Sequence, residues 1–148
     1  MKRKYNLLVL PAVVIIAISI FSGFTGQSDT DYVKSLLEQR TDVLQKGFYG
    51  QTLLDETEKK LVEIETYPLL TEDIENLREW EASELDIVNQ MNFIKVEKTH
   101  NFLRYKTYNV TISWDMRSLS ENYTMRGDYY VVLKKDGLDY KLSQFNPR

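Results

Sequence analysis

Residues 107–114 read TYNVTISW, and this stretch decides the fold. Successive side chains of a β-strand point to opposite faces of a sheet, so strict alternation of apolar and polar residues indicates a half-buried strand. One face of this segment carries large apolar side chains, and the other carries only Thr, Asn and Ser. The apolar side chains are Tyr108, Val110, Ile112 and Trp114. A sheet with one wet face needs a cover for its other face, which the rest of the chain must supply.

The segment before this strand predicts a first strand. From Leu85 the apolar spacing drops to two residues, with a change of register near Ile94 and Val96. Residues 99–101, THN, are expected to make the reversal into the next strand. The apolar positions of the first strand are Leu85, Ile87, Met91 and Phe93.

The segment after it predicts two more strands. A polar connection over residues 115–122 leads to a third strand, with Gly127 as a bulge or bend site. Asp136 and Gly137 form a tight-hairpin signal that leads into the last strand. The expected core-facing residues are Tyr129, Val131 and Leu133 in the third strand and Leu138, Tyr140 and Leu142 in the last.

From Ser28 to about Trp80 the apolar spacing is helical and predicts three amphipathic helices. Their apolar positions are Val33, Leu36, Leu37, Leu44 and Phe48, then Leu54, Leu61 and Ile64, then Ile74, Leu77 and Trp80. The expected boundaries are Ser28 or Asp31 and Gly47 or Gly50 for the first helix, Tyr67 before Pro68 for the second, and a Thr71 cap for the third.

Three helices followed by a four-stranded antiparallel meander predict an α+β domain, with the helices covering the apolar face of a curved sheet. The order of elements, the tyrosine-rich strands and residues 136–145, DGLDYKLSQF, resemble the nuclear-transport-factor-2-like group of the cystatin-like cone folds. The resemblance covers residues 29–148, and its strongest local piece is residues 129–145. That group includes isomerases, dehydratases and epoxide hydrolases, and also non-catalytic members that bind ligands or mediate assembly.

The N-terminal residues predict a membrane anchor. A basic cluster at residues 2–4 precedes a charge-free run at residues 7–24, LLVLPAVVIIAISIFSGF. A helix covers about 27 Å over this run, close to the roughly 30 Å of a bilayer core. The basic cluster places residues 1–6 in the cytoplasm. We therefore expect a single-pass anchor over residues 7–26 and an extracytoplasmic domain over residues 29–148.

Two other interpretations of the N-terminal run stay open. A cleaved signal peptide has the same basic and apolar regions, and residues 26–28, GQS, offer a tolerable cleavage site that would give a secreted product. A buried core helix of a soluble protein is the third interpretation, although nothing polar lines either side of the run.

Composition removes several kinds of site. The chain has no cysteine and one histidine, which excludes disulfides, thiolate nucleophiles, iron–sulfur clusters and cysteine zinc sites. Beyond residue 28 it has 22 acidic and 16 basic residues without a basic cluster, which disfavours nucleic acid as a partner. Residues 29–97 are strongly acidic and residues 98–148 are basic. This polarity either reflects ordinary helix and strand surfaces or helps a partner to dock.

From the sequence we assign no catalytic residue, no metal ligand and no cofactor. His100 falls in an expected turn and is interpreted as solvated, and Asp115 at a strand end is interpreted as a turn carboxylate. The carboxylate pairs Glu56/Glu63, Asp73/Glu75 and Glu79/Glu84 are interpreted as solvated helix surface. Six aromatic residues either line a cavity of the cone or fill its core: Tyr49, Tyr67, Trp80, Tyr108, Trp114 and Tyr129.

Two classes of function follow. The favoured one is a non-enzymatic module, anchored in the membrane by residues 7–24, that binds a protein partner, a second copy of itself or an envelope component. The resemblance extends to membrane-anchored domains of bacterial secretion and conjugation assemblies. The alternative is a small-molecule-binding or enzymatic cone-fold domain held at the membrane.

Overall fold

The structure, a computed structural model, describes residues 28–80 and 86–148. Within these residues three helices are followed by four strands, so the predicted α+β class and order of elements are confirmed. The predicted anchor at residues 7–26, and also Leu85, lie outside the described residues. Among the helices that are described, none has the length and apolar character needed to cross a bilayer.

Helix α1 spans Asp29–Phe48 and begins where the sequence predicts. The Ser28 hydroxyl oxygen accepts a hydrogen bond of 3.1 Å from the Asp31 backbone N–H, which satisfies a donor that the first turn of a helix leaves free. After Phe48 the chain leaves the helix through Gly50, whose φ of 65° suits glycine. The helix buries Val33, Leu36, Leu37 and Leu44.

Helix α2 spans Leu54–Ile64 and helix α3 spans Leu69–Glu79. The predicted Thr71 cap is wrong, because α3 begins two residues earlier. The Thr71 backbone N–H donates to the Pro68 carbonyl at 3.0 Å and is already part of the first turn. Pro68 takes the position before this helix with helical backbone angles and no side-chain cap. Its ring restricts φ to the range that a first turn needs, so it can begin the helix itself.

Helix α1 approaches the other two helices closely at Gly47. A Cβ atom on this residue would lie 2.7 Å from Thr57 Cγ2 of α2 and 3.0 Å from Leu77 Cδ2 of α3. A larger side chain at this position would require the side chains of Thr57 and Leu77 to shift. Gly47 therefore allows the three helices to approach closely.

The strands are β1, Ile87–Phe102; β2, Tyr105–Arg117; β3, Asn122–Asp136; and β4, Asp139–Pro147. They form an antiparallel sheet in the order β1-β2-β3-β4. The prediction for the second strand is confirmed, because Tyr108, Val110, Ile112 and Trp114 are all buried. Val131, Leu133 and Leu142 continue this buried face into β3 and β4.

The predicted reversal at residues 99–101 is wrong. These residues belong to β1, where His100 pairs with Thr107, and the chain reverses at residues 103–104 instead. A register shift between Lys98 and His100 absorbs Thr99, whose hydroxyl lies 2.7 Å from that of Thr107. The polar residues that favour a turn here form a bulge within the strand.

Two expectations for the last strands are also wrong. Gly127 is not a bulge, since β2 and β3 pair without a register shift across it. A Cβ on Gly127 would lie 2.5 Å from Tyr129 Oη, so glycine leaves room for that ring. The tight turn consists of Gly137 and Leu138, one residue later than predicted, and Leu138 is therefore 94% exposed and does not face the core.

The one-sided burial of β2 gives a stability prediction. We expect Ile112→Ala to lower the free energy of unfolding by about 2 to 5 kcal/mol, because it empties a fully buried site. Thr111→Ala on the other face loses only an exposed hydrogen bond to Asp128 and should cost about 1 kcal/mol or less. Urea unfolding of the full chain in mild detergent measures both values. Equal losses would contradict the register.

Candidate functional site

Two helices carry a charged residue within a buried apolar stripe. In α1, Arg40 lies four residues after Leu36 and four before Leu44, so it shares their face. In α3, Asp73 lies four residues after Leu69 and four before Leu77, and all three are buried. The stripes of the two helices thus bring opposite charges toward the same interior.

A second carboxyl group, that of Glu65, reaches this interior from the connection between α2 and α3. Glu65 forms a single bridge with Leu142 of β4, and the next residue, Thr66, donates its backbone N–H to the Leu142 carbonyl at 2.8 Å. The side chain of Glu65 has no exposed surface. Backbone pairing with the sheet therefore turns this glutamate inward.

The three side chains form what we call the charge cluster: Arg40, Glu65 and Asp73. Arg40 Nε donates to Glu65 Oε1 at 2.9 Å and to Asp73 Oδ2 at 2.8 Å. Arg40 Nη2 donates to Asp73 Oδ1 at 2.8 Å. The guanidinium also lies over the ring of Phe145 in β4, 5.3 Å from its centroid. One arginine thus connects α1 with α3, with the connection before α3 and with the last strand.

Burial raises the pKa of the Glu65 carboxyl to about 9, and the neighbouring Asp73 charge acts in the same direction while Arg40 opposes it. The second carboxyl oxygen, Oε2, is buried and has no hydrogen-bond partner among the described residues. An ionised oxygen in that position would be costly. Glu65 therefore keeps its proton at neutral pH, and the charge of Arg40 is balanced by Asp73.

This arrangement fits a structural role better than acid–base catalysis. The carboxyl group of Glu65 has no exposed surface, so a substrate could reach it only after the helices moved apart. The donors of Arg40 that contact Asp73 form a two-point pair, the geometry that holds a guanidinium most firmly. The charge cluster aligns the helices on the sheet.

An open groove lies next to Arg40, between the C-terminal half of α1 and the start of β1; we call it the α1 groove. Its volume is about 270 Å³. The Gln45 amide spans it, accepting from the Val88 backbone N–H at 2.7 Å and donating to the Val88 carbonyl at 3.3 Å. Its lining residues are Arg40, Thr41, Leu44, Gln45, Phe48, Tyr49, Asp86, Val88 and Trp114.

The structure brings only part of the six predicted aromatic residues to one place. Tyr49 and Trp114 line the α1 groove. Trp80 packs edge-on against Phe48, which lines the same groove, with 4.9 Å between the ring centroids. The other three lie elsewhere and do not line that groove: Tyr67 is 68% exposed, Tyr108 is fully buried, and Tyr129 stacks on Phe145.

Trp114 and Tyr129 still form one continuous aromatic chain with Phe145. Trp114 Nε1 donates to Tyr129 Oη at 2.9 Å, and the Tyr129 and Phe145 rings stack with 4.5 Å between their centroids. Because Arg40 lies over Phe145, this chain connects the floor of the α1 groove with the charge cluster. These aromatic residues therefore both fill the core and line a concave surface.

The remaining sequence candidates lie away from the groove or on the surface. His100 is exposed in β1, 3.3 Å from the Thr107 hydroxyl, and is not in a turn. Asp115 lies within β2, where it accepts hydrogen bonds from Asn92 and Thr124, and is not a turn carboxylate. In the described part of the chain, no three histidine or acidic side chains gather as a metal site.

One of the expected surface carboxylates is buried. Glu56, Glu63, Glu75 and Glu79 are exposed as predicted, and Glu84 lies outside the described residues. Asp73 is only 6% exposed, so its assignment to the helix surface is wrong. Helix α3 turns Asp73 inward in place of Ile74, because Arg40 compensates its charge there. The sequence does contain a signal for this pair. In each of the two helices a charged residue lies midway between two leucines that are eight residues apart, and the charge is positive in α1 and negative in α3.

A scan against protein-family models found no match to the chain, and a search of curated proteins found none either. Functional inference therefore starts from the geometry of the charge cluster, the α1 groove and the exposed surfaces.

The protonated state of Glu65 gives a pH prediction. The Glu65 carboxyl pKa rises from 4.5 to about 9 on folding, so the contribution of this group to the free energy of unfolding is complete below pH 4.5 and is lost as the pH rises toward 9. Glu65→Gln mimics the protonated form and should remove this loss. Between pH 5 and 8 the variant should gain on the wild type by up to about 1.4 kcal/mol for each pH unit.

Urea unfolding of the full chain at several pH values measures this difference. Glu63→Gln, an exposed change two residues earlier in the last turn of α2, is the matched control and should follow the wild type at every pH. A Glu65→Gln variant whose stability stays parallel to that of the wild type across this range would show that Glu65 is ionised in the folded protein.

Proposed function

We propose that this chain is a single-pass membrane protein whose extracytoplasmic domain, residues 29–148, binds a partner protein through the α1 groove without catalysing a reaction. The basic cluster at residues 2–4 and the apolar run at residues 7–24 support the anchor and its orientation. The α1 groove is the observation that carries the binding role.

We also propose that the domain is a cone of the nuclear-transport-factor-2-like kind. Three register shifts within the pairing of β1 with β2 favour a curled sheet, because each bulge increases the local twist. The length of α1, 20 residues, is enough to fill the concave side of such a sheet. Membrane-anchored domains of this architecture in secretion or conjugation-type assemblies offer the closest functional parallel.

The size of the α1 groove favours a protein side chain as its occupant. Pockets for ordinary small ligands have volumes of about 300 to 1,000 Å³ and enclose most of the ligand. The α1 groove, at about 270 Å³, lies near the lower end of this range and is open, which suits an apolar anchor residue of a partner. Its walls include Leu44, Phe48 and Trp114, so an inserted aliphatic or aromatic side chain would find apolar contacts.

The chain that follows α1 carries further exposed apolar side chains. Tyr49 lines the groove and is 37% exposed, and Leu53 and Leu54 follow at 73% and 42%. Exposed apolar side chains beside a concave apolar site are typical of protein interfaces. The partner is either a different protein or a second copy of this chain.

A small-molecule-binding or enzymatic domain is the second candidate. The observation in its favour is the presence of Arg40 and Asp86 in the α1 groove together with Trp114. A small acid could pair with the guanidinium while its apolar part packs on the indole ring. Against this use, Arg40 is already engaged by Asp73 through two hydrogen bonds.

Photocrosslinking tests the binding role. A photoreactive phenylalanine at position 49, in the full chain in native membranes, should give a discrete adduct, because Tyr49 borders the α1 groove. The matched control is the same residue at position 119, since Leu119 is 82% exposed on the turn between β2 and β3. Mass spectrometry of the adduct distinguishes a second copy from another protein. Equal labelling at both positions would contradict the proposed interface and favour the small-molecule alternative.

Membrane fractionation tests the anchor. We expect the full chain to stay in the membrane after an alkaline carbonate wash, because residues 7–24 would span the bilayer. Protease added from outside should remove the domain and leave a short membrane-bound fragment. Recovery of a soluble product that begins near Asp29 would show instead that the N-terminal segment is a cleaved signal peptide.

A further inference from the structure

One end of the sheet combines exposed apolar side chains with positive charge. The β1–β2 turn and the β3–β4 turn lie side by side there, since Tyr105 pairs with Lys134 and the Lys135 backbone N–H donates to the Arg104 carbonyl at 2.8 Å. We call residues 102–106 and 134–141 together the hairpin end. The turn between β2 and β3 lies at the opposite end of the sheet.

The apolar side chains of the hairpin end stand almost fully in solvent. Phe102 is 70% exposed, Leu103 79% and Leu138 94%, and each lies in or next to a turn. Leu103 and Leu138 contribute little to the packing of the domain, because most of their surface is in contact with water. Polar residues would form these turns at lower cost, so the apolar ones indicate a second, less polar environment.

Cations outnumber anions beside these apolar tips, and one of them, Lys141, is held by Asp136 at 3.2 Å and by the Val62 carbonyl at 2.7 Å. The hairpin end carries five basic residues and two acidic ones, Asp136 and Asp139. The basic residues are Arg104, Lys106, Lys134, Lys135 and Lys141. The domain as a whole is acidic, with 22 acidic and 16 basic residues beyond residue 28. A negatively charged surface would therefore repel most of the domain and attract this end.

We infer that the hairpin end rests on the anionic surface of the bilayer, with Leu103 and Leu138 inserted among the lipid headgroups. This inference rests on the proposed function, because the predicted span ends at residue 24 and keeps residues from Asp29 onward close to the membrane. Apolar side chains that enter the boundary between headgroups and acyl chains, together with surrounding Lys and Arg, are the combination that binds proteins to anionic membranes.

A lipid surface suits the shape of the hairpin end better than an acidic peptide does. The apolar residues project from two turns and stand almost fully in solvent, so they would not enclose an extended segment. A bilayer interface is soft and accepts projecting side chains without a matching cavity. Docking at this end leaves the α1 groove available to a partner, because Val88 and Trp114 lie toward the opposite end of β1 and β2.

The chain has no cysteine, so a single introduced cysteine can report the position of each tip. We would label Leu103→Cys and Leu138→Cys, separately, with an environment-sensitive fluorophore in the full chain reconstituted into vesicles. In phosphatidylcholine with roughly 30% phosphatidylglycerol, both labels should shift to the blue and be quenched by brominated acyl chains. Leu119→Cys, equally exposed at the opposite end, should report water.

Charge removal adds a quantitative test. Each cation near an anionic surface strengthens binding by a factor of about five, so Arg104→Gln together with Lys135→Gln should weaken docking about 30-fold. This loss appears as a higher phosphatidylglycerol fraction needed for half of the blue shift of the Leu103→Cys label. An unchanged titration would overturn the inference.

The outcomes separate this inference from the anchor on which it rests. If the labelled chain floats with the vesicles but its tip labels stay in water, the hairpin end does not dock on lipid and serves an acidic protein surface instead. If the chain does not float at all, the anchor itself fails. Circular dichroism of each labelled variant excludes unfolding as the cause of a lost signal.

Discussion

The packing of the helices on the sheet depends on one guanidinium, that of Arg40, which is mostly buried and borders the α1 groove. Arg40 holds Asp73 through two hydrogen bonds, contacts Glu65 and lies over Phe145, so this side chain of α1 reaches α3, the connection before α3 and the last strand. Apolar contacts alone would let the helices slide or rotate on the sheet, since they have little directional preference. Charge-assisted hydrogen bonds have fixed geometry, and they define one position of α1 against α3.

The protonation of Glu65 is what makes such a cluster tolerable in the interior. Three ionised groups would leave a net negative charge in a region of low dielectric constant. With Glu65 neutral at its raised pKa of about 9, the remaining charges of Arg40 and Asp73 cancel. The same proton makes the stability of the domain fall as the pH rises from 4.5 toward 9, because over this range the unfolded chain releases the proton and the folded chain keeps it.

Local patterns in the sequence predict the elements better than they predict the site. The alternation from Tyr108 to Trp114 identifies β2 and its buried face, because the period of a strand is independent of the rest of the chain. The prediction for residues 99–101 fails because polar residues favour bulges as well as turns. The prediction for Leu138 fails because a turn shifted by one residue moves the neighbouring side chains to the opposite face of the sheet. The charge cluster could not be predicted from local patterns, because it depends on the packing of α1 against α3 in the folded domain. Within its own helix, each charged residue is seen only as an interruption of an apolar stripe.

The interruptions along β1 have a consequence for how molecules of this protein meet each other. β1 is an edge strand of 16 residues, and a flat edge of that length would offer its unpaired backbone groups to the same strand of a neighbour. Three register shifts interrupt the regular pairing of β1 with β2. The side-chain amide of Gln45 also forms hydrogen bonds with both the backbone N–H and the backbone carbonyl of Val88. At the other edge, Thr66 donates to Leu142 of β4. Neighbouring copies of the domain are therefore discouraged from joining their sheets into fibres.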